Sequence, residues 1–300
     1  MRPLVVLPTY NEAENVAEVL RRIRAAVPDA EILVVDDNSP DGTAGLAEAL
    51  APELGGIQVL RRPGKSGIGN AYRAGFRWGL ERGFDAFVEM DADLSHDPAQ
   101  LPDLLAGLSG ADLVIGSRYI PGGSIPNWAP HRRLLSEAGN RYAAAALGMR
   151  IRDLTSGFRA YSASTLLDLD LDRIRADGYG FQIEMAFRAH RRGWLVAEVP
   201  IRFVDRVEGQ SKMSMRIVVE ALGLVTLWGL RRLLGGYGRI PGRPARPPAA
   251  GSAQPVVGQA PDAPAPTGPL LGQDGKGADG GPPRARGGGA VGVVQEDRGA

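Results

Sequence analysis

The sequence predicts an α/β fold with a mostly parallel central sheet flanked by helices, and three observations predict it. Short apolar, β-branched runs recur at 3–7, 31–36, 57–60, 86–90 and 113–116. Stretches with helical spacing separate them, so strand and helix alternate four times, the pattern of a parallel sheet covered on both faces. Acidic residues and turn formers cluster just past the runs. In such sheets ligands bind beyond the C-terminal ends of the strands.

In chain order, 3–7 is the first strand, and 12–27 follows as a helix through Val16, Val19, Leu20, Ile23 and Val27. The second strand, 31–36, ends in the turn cluster Asn38-Ser39-Pro40-Asp41-Gly42, with Thr43 as N-cap of the next helix. Strand 57–60, helix 71–81, strand 86–90, helix 98–108 and strand 113–116 complete the alternation. Beyond about residue 118 the pattern loosens. Helices are expected at 132–147 and 182–192 and an extended segment carrying Pro200 at 195–204, an acceptor-side extension of the same domain.

Composition sets the outer bounds. Basic and acidic residues number 35 and 34, so charge gives no sign of a nucleic-acid partner. Cysteine is absent, which excludes disulfides, a Cys-based zinc site and a thiol nucleophile. The apolar stretch ending at Pro8 is too short for a signal peptide, so no export is expected. Residues 241–300 hold 14 Gly and 11 Pro with no aromatic residue, too little apolar surface to offset ordering entropy. The expected organisation is a catalytic domain over 1–237 and a disordered Pro/Gly-rich tail over 238–300.

The strand ends carry the chemistry. The fourth strand ends Glu89-Met90-Asp91-Ala92-Asp93, and residues two apart on a strand project to one side, so Asp91 and Asp93 can reach one ligand. Two adjacent carboxylates repel unless a cation or proton intervenes, and Mg²⁺ or Mn²⁺ takes one or two carboxylates with phosphate oxygens and water completing its shell. After the second strand, Asp37 is placed to bind a nucleotide's ribose or base, and Asp41 reads as a turn residue. Asp37, Ser39, Asp41, Gly42 and Glu48 have the spacing of a calcium loop, but a strand precedes them and Pro40 interrupts them. The first strand ends without the glycines a dinucleotide fold needs. Gly64-Lys65-Ser66 is no Walker loop, since the glycine required at position 59 is Val59.

Six ordered segments together carry a resemblance. They are Pro8-Thr9-Tyr10-Asn11-Glu12, Val35 through Thr43, Met90 through His96, Gly116-Ser117-Arg118-Tyr119, Thr155 through Arg159, and Val204 through Met213. Over about residues 3–230 the chain resembles the family 2 glycosyltransferases of GT-A type, and within them the dolichyl-phosphate (polyprenol monophosphate) mannose synthases. The resemblance implies transfer of mannose from GDP-mannose to a polyprenyl phosphate, dependent on Mg²⁺ or Mn²⁺, for downstream glycan or glycoprotein mannosylation. It implies a guanosine pocket lined by Pro8, Tyr10, Glu12, Val35 and Asp37, and a diphosphate site at Asp91, Ala92 and Asp93, with Asp93 the firmest metal ligand. Arg118, Arg206 and Lys212 would contact phosphates of donor or acceptor. Ser95 stands where many relatives have Gln, which puts a metal role for that position in doubt. Glu184 reads either as an acid near the site or as a helix-face carboxylate. His96, His131 and His190 are scattered and receive no role.

The nucleophile in this chemistry is a phosphate oxygen, already ionised near neutral pH, so no strong base is required. The residues have to stabilise the departing diphosphate and screen two anionic substrates from each other. With no covalent nucleophile paired to a base, single displacement with inversion is expected.

The run 217–234 is mostly apolar but short and interrupted by Glu220, Arg231 and Arg232, so a spanning helix is not expected. An interfacial helix over about 214–235, anchored by Trp228 and the arginines, and a core-packing helix both fit it. The expected location is cytoplasmic, peripheral at the inner face of the membrane, held there by this helix or a membrane-embedded partner protein. Two other functions stay open: a UDP-glucose-dependent polyprenyl phosphate glucosyltransferase, and a non-catalytic sugar-nucleotide-binding subunit. Against the latter stand the intact Asp91, Asp93, Arg206 and Lys212.

Overall fold

The computed structural model describes residues 1–174, 176–205 and 215–237, with backbone alone for 215–218. The expected tail over 238–300 lies outside the described residues, as do Arg206 and Lys212.

The strands β1 (Pro3–Thr9), β2 (Glu31–Asp36), β3 (Ile57–Arg61), β4 (Ala86–Glu89), β5 (Leu113–Ser117), β6 (Arg159–Ser162) and β7 (Val196–Pro200) form one sheet in the order β3-β2-β1-β4-β6-β5-β7. Pairings within β3-β2-β1-β4 and between β5 and β7 are parallel, and β6 runs antiparallel to both neighbours. The sequence reading did not separate β6 from its loop. Four residues are too few to show a period of two, and three of them are buried. Insertion of β6 also keeps β5 from pairing with β4. β7 is an edge strand, which is where Pro200 is tolerated.

Helices α1 (Val16–Ala26), α2 (Thr43–Leu54) and α4 (Leu101–Gly107) cover one face, and α3 (Ile68–Leu80), α5 (Pro130–Leu147), α6 (Ala163–Leu169) and α7 (Gly178–Arg191) the other. Alternation along β1 assigns each residue its side. Val5 and Leu7 pack with Val16, Val19, Leu20 and Ile23 of α1, while Leu4 and Val6 pack with Tyr72 and Phe76 of α3. Each such fully buried side chain contributes roughly 1.5–3 kcal/mol. Helix boundaries shift slightly from expectation. α1 begins at Val16 because the chain from Tyr10 to Asn15 is held in a loop, and the N-cap of α2 is Gly42, at φ 85°, rather than Thr43. The helix expected from 98 opens with a 3₁₀ turn, Pro98–Gln100, before α4.

Helix α8 (Met215–Leu233) is two-sided. Ala221 and Val225 are buried, and Trp228 stacks on Phe187 of α7 at 6.2 Å. Val219, Leu222, Leu227, Leu230 and Leu233 are exposed. No helix among the described residues is long and apolar enough to cross a membrane.

Candidate active site

Every parallel strand from β1 to β5 ends at the same edge of the sheet, so Thr9, Asp36, Glu89 and Ser117 lie along it. Because β6 is antiparallel, its first residue, Arg159, pairs with Glu89 and Ile115 and brings the preceding Thr155-Ser156-Gly157 loop to that edge as well. A motif from the second half of the chain thereby reaches residues of the first.

The β1 and β2 loops are stitched together. Thr9 Oγ1 donates to Asp36 Oδ1 (3.0 Å), the Glu12 N–H donates to Thr43 Oγ1 (3.0 Å), and the Ala13 N–H donates to Asp41 Oδ2 (3.0 Å). Asp41 also accepts from the backbone and hydroxyl of Thr43, so it is the turn residue the sequence suggests. Burial works against its charge, but these bonds hold its carboxyl below the usual range.

The proposed nucleoside pocket is assembled in part. Pro8 and Tyr10 are partly exposed, Glu12 is buried at the α1 approach, and the Lys65 ammonium lies 4.6 Å over the Tyr10 ring. Asp37 is buried and already held by Arg62, whose Nη1 lies 2.6 Å from Oδ1. Burial raises the Asp37 pKa and Arg62 opposes the rise. Val35 requires a correction. Its side chain is fully buried in the sheet core against Gly75 of α3, so only its backbone is available to a pocket.

Asp91 and Asp93 both fall in the turn just past β4. Asp91 keeps one third of its side chain exposed and accepts from Tyr72 Oη at 3.3 Å. Asp93, with Ala92 buried before it, accepts the Ser95 N–H at 3.0 Å. Ser95 is buried and its carbonyl accepts from Val204 N at 3.2 Å, which leaves it a backbone role in the turn. Mg²⁺ or Mn²⁺ takes one or two hard carboxylates of this kind with phosphate oxygens and water completing its shell. His96 Nδ1 lies 3.8 Å from Asp91 Oδ2, and no group of three or more His, Cys, Asp or Glu that could hold a metal ion by itself occurs among the described residues. Gly157 lies beside Asp91, where a Cβ would stand 3.8 Å from Asp91 Oδ2, an ordinary contact distance.

Arg118 also departs from expectation. Its Nε and Nη2 donate to Asp153 (both 2.7 Å), and Nη2 donates to Thr155 Oγ1 (2.9 Å), in a site where Arg118 is only 5% exposed. Nε and Nη2 are engaged inside the protein, and through them Arg118 braces the 153–157 loop from beneath. Burial works against its charge, and Asp153 outweighs burial and raises its pKa. A second buried guanidinium, Arg159, donates to the carbonyls of Leu154, Ser156 and Gln182, each at 2.7 Å. Across the β4–β6 pairing lies Glu89, whose pKa is raised by burial to about 7 although Arg159 pulls it down. Glu184 is a structural acid, bound by Arg188 (2.6 Å) and by the Ala176 N–H (3.2 Å).

Sequence reasoning missed Tyr72, Arg62, Lys65, His96 and the anchors of Asp205. Asp205 accepts from Trp128 Nε1 (3.0 Å) and Arg132 Nη1 (2.6 Å), which fixes the chain one residue before Arg206. Tyr72 carried only a core signal in sequence, a helix-face aromatic. Lys65 lies within the Gly64-Lys65-Ser66 turn and Arg62 just before it, and neither carries a local pattern that marks a ligand contact.

Acids beyond the C-terminal edge of a largely parallel sheet, with no glycine-rich phosphate turn, define a nucleotide-sugar transferase fold of GT-A type. The chain belongs to glycosyl transferase family 2, whose profile matches residues 4–169. It is 54% identical over 230 residues, 77% of this chain and 95% of the relative, to the undecaprenyl-phosphate mannosyltransferase of Micrococcus luteus. It is 48% identical over 232 residues, 77% of this chain and 88% of the relative, to the polyprenol monophosphomannose synthase of Mycolicibacterium smegmatis. Among solved structures it resembles the mannosyltransferase of Pyrobaculum calidifontis in complex with GDP-Man and Mn²⁺ (TM-score 0.51, 19% identity, 80% of this chain and 66% of that one), a likeness of fold alone.

Proposed function

We propose that this chain transfers mannose from GDP-mannose to a polyprenyl phosphate with inversion at the anomeric carbon. The observation that carries the reading is the near-complete coverage of a 54%-identical undecaprenyl-phosphate mannosyltransferase, combined with the Asp91–Asp93 pair at the strand edge. Asp91 and Asp93 would hold Mg²⁺ or Mn²⁺. When bound, the ion offsets charge on the departing diphosphate. Pro8, Tyr10, Glu12 and Asp37, with Arg62 and Lys65 beside them, bind the nucleoside. The acceptor phosphate attacks as an anion, so Arg206 and Lys212 serve by screening negative charge rather than by moving a proton. Arg118 supports the Thr155-Ser156-Gly157 loop through Asp153.

The lipid acceptor calls for a membrane-facing surface. The exposed Val219, Leu222, Leu227, Leu230 and Leu233 of α8, joined by exposed Leu134 and Leu135 on the neighbouring α5, are suited to the headgroup boundary. Exposed Arg231 and Arg133 are suited to anionic headgroups.

The test is incubation with radiolabelled GDP-mannose or UDP-glucose, polyprenyl phosphate and Mg²⁺ or Mn²⁺, followed by organic extraction. Label is expected in the lipid phase from GDP-mannose only. NMR of the product should show a β-mannosyl phosphate, and an α product would overturn single displacement. Label from UDP-glucose alone would make the chain a glucosyltransferase, and no transfer from either donor would favour a binding subunit.

A further inference from the structure

The turn from Asp91 to His96 is under strain. Leu94, a branched residue, sits at φ 60° in the left-handed region, a conformation that costs on the order of 1–2 kcal/mol and persists only where its surroundings impose it. Three contacts impose it here. Ser95 N–H donates back to Asp93, Val204 N–H donates to the Ser95 carbonyl, and the Asp91 N–H donates to His96 Nδ1 at 3.3 Å. The last bond closes the turn on itself. With a backbone N–H as its donor, Nδ1 must present a lone pair, so the ring is the neutral tautomer with its proton on Nε2.

His96 is also wedged in place. It is 2% exposed, stacked on Phe158 with ring centres 5.1 Å apart and 14° between planes, and set edge-on to Phe203 at 5.5 Å. Phe158 lies between the 155–157 loop and the first residue of β6, and Phe203 pairs with His96 in an isolated antiparallel bridge two residues before the clamped Asp205. One ring therefore touches the aspartate turn, the loop facing it, and the base of the segment that continues to Arg206 and Lys212.

We propose that His96 is a positioning residue, which holds the Asp91–Asp93 carboxylates in register with the chain leading to Arg206 through its Nδ1 bond and its place between Phe158 and Phe203. It does not touch the reacting atoms. The function of the turn rests on the transferase reading above, whereas the restraint on the turn does not.

The experiment compares wild type with His96→Phe, which keeps the stack and loses the acceptor, His96→Asn, whose Oδ1 can replace Nδ1, and His96→Gln, whose amide reaches the Nε2 position instead. Two readouts are taken on the full chain. Hydrogen exchange over 90–96 without nucleotide is expected to be roughly tenfold faster in the Phe and Gln variants, with Asn near wild type. Mn²⁺ affinity in the presence of GDP, followed by electron paramagnetic resonance, is expected to weaken about tenfold in the Phe variant, with kcat falling more than KM for GDP-mannose changes. Should His96→Phe not fold, the Asn–Gln difference decides. Wild-type exchange rates in the Phe and Gln variants, or equal defects in Asn and Gln, would overturn the proposal. A wild-type protein that binds no Mn²⁺ with GDP would instead sink the transferase reading, and the exchange data would still judge the restraint.

Discussion

Up to Ser117 the polar loops are joined by many short bonds between neighbouring strand ends, whereas beyond Arg118 they hang on a few buried charges. Thr9, Asn11, Glu12 and Ala13 each donate to a residue between the end of β2 and the start of α2 (Asp36, Ser39, Thr43 and Asp41), at 3.0 to 3.1 Å, and none of the donors is charged. On the other side, Arg118–Asp153 and Arg159 hold the 153–159 loop from the interior, and Glu198 accepts the Arg152 and Asp153 N–H groups (both 2.9 Å). Bonds distributed over several neighbours tolerate loss one at a time, each worth about 1 kcal/mol net between neutral groups and about 1.5–3 kcal/mol where Asp36 or Asp41 accepts. A buried ion pair is different. Removing one partner strands the other and costs about 3–5 kcal/mol. Apart from the buried Arg62–Asp37 pair, the proposed nucleoside side should therefore be robust to single changes, and the proposed acceptor side brittle.

The largest expected effect lies where the two sides meet. Asp93→Ala should lower turnover by about a hundredfold or more, since the diphosphate charge is then left without its ligand-held cation. EDTA should abolish wild-type turnover, with recovery on adding Mg²⁺ or Mn²⁺. Radiometric assay checks both, and full activity in EDTA would break the assignment.

Brittleness is tested by Asp153→Asn, which should cost about 3 kcal/mol or more and lower Tm by roughly 6 °C or more. Burial raises the Asp153 pKa, but Arg118 and its hydrogen bonds outweigh burial and hold it below 3.8. A depressed pKa gives stability that is present above the ordinary value and lost as pH falls through the folded one. The deficit of Asp153→Asn against wild type should therefore shrink in scans below about pH 3.8 and stay constant near neutrality.

On the proposed lipid-facing surface, replacing Leu222, Leu227 and Leu230 by Gln should reduce liposome sedimentation roughly tenfold or more, with Tm held within a few degrees. A fallen Tm would mean that this face is covered by protein rather than lipid. Leu224 and Trp228 are the wrong residues for that test, because Trp228 packs on Phe187 and Leu224 lies against Gly180.

Thr43→Val probes the stitched side. It removes the acceptor of Glu12 N–H and one bond to Asp41, and should cost only about 1–2 kcal/mol. A cost equal to that of Asp153→Asn would erase the contrast between the two sides. The smallest effect is expected from truncation after Gly238, which should leave Tm and activity with a short-chain polyprenyl phosphate nearly unchanged.

What the sequence determined by itself is the first half: five strands in order, the helices between them, and a row of acids at the strand ends. Buried parallel strands and amphipathic helices carry their burial in local periodicity, so Val5, Leu7, Val19 and Ile23 announce their places without knowledge of partners. Asp91 and Asp93 read as alternate residues of one strand, but β4 stops at Glu89 and both lie in the turn beyond it, so strand alternation does not place them. What only the tertiary structure decided is which charges face ligand and which face protein. Arg118 reads as a phosphate contact until Asp153, 35 positions later, is seen to occupy its fork. His96 reads as an isolated histidine until the fold brings Phe158 and Phe203 to either side of its ring. β6 is four residues long and defined by its neighbours rather than by its own pattern, yet its antiparallel direction delivers the 155–157 loop to the site. Periodicity reports how a residue lies on its own element. The partner of a buried charge is set by contacts distant in sequence, and no local pattern encodes them.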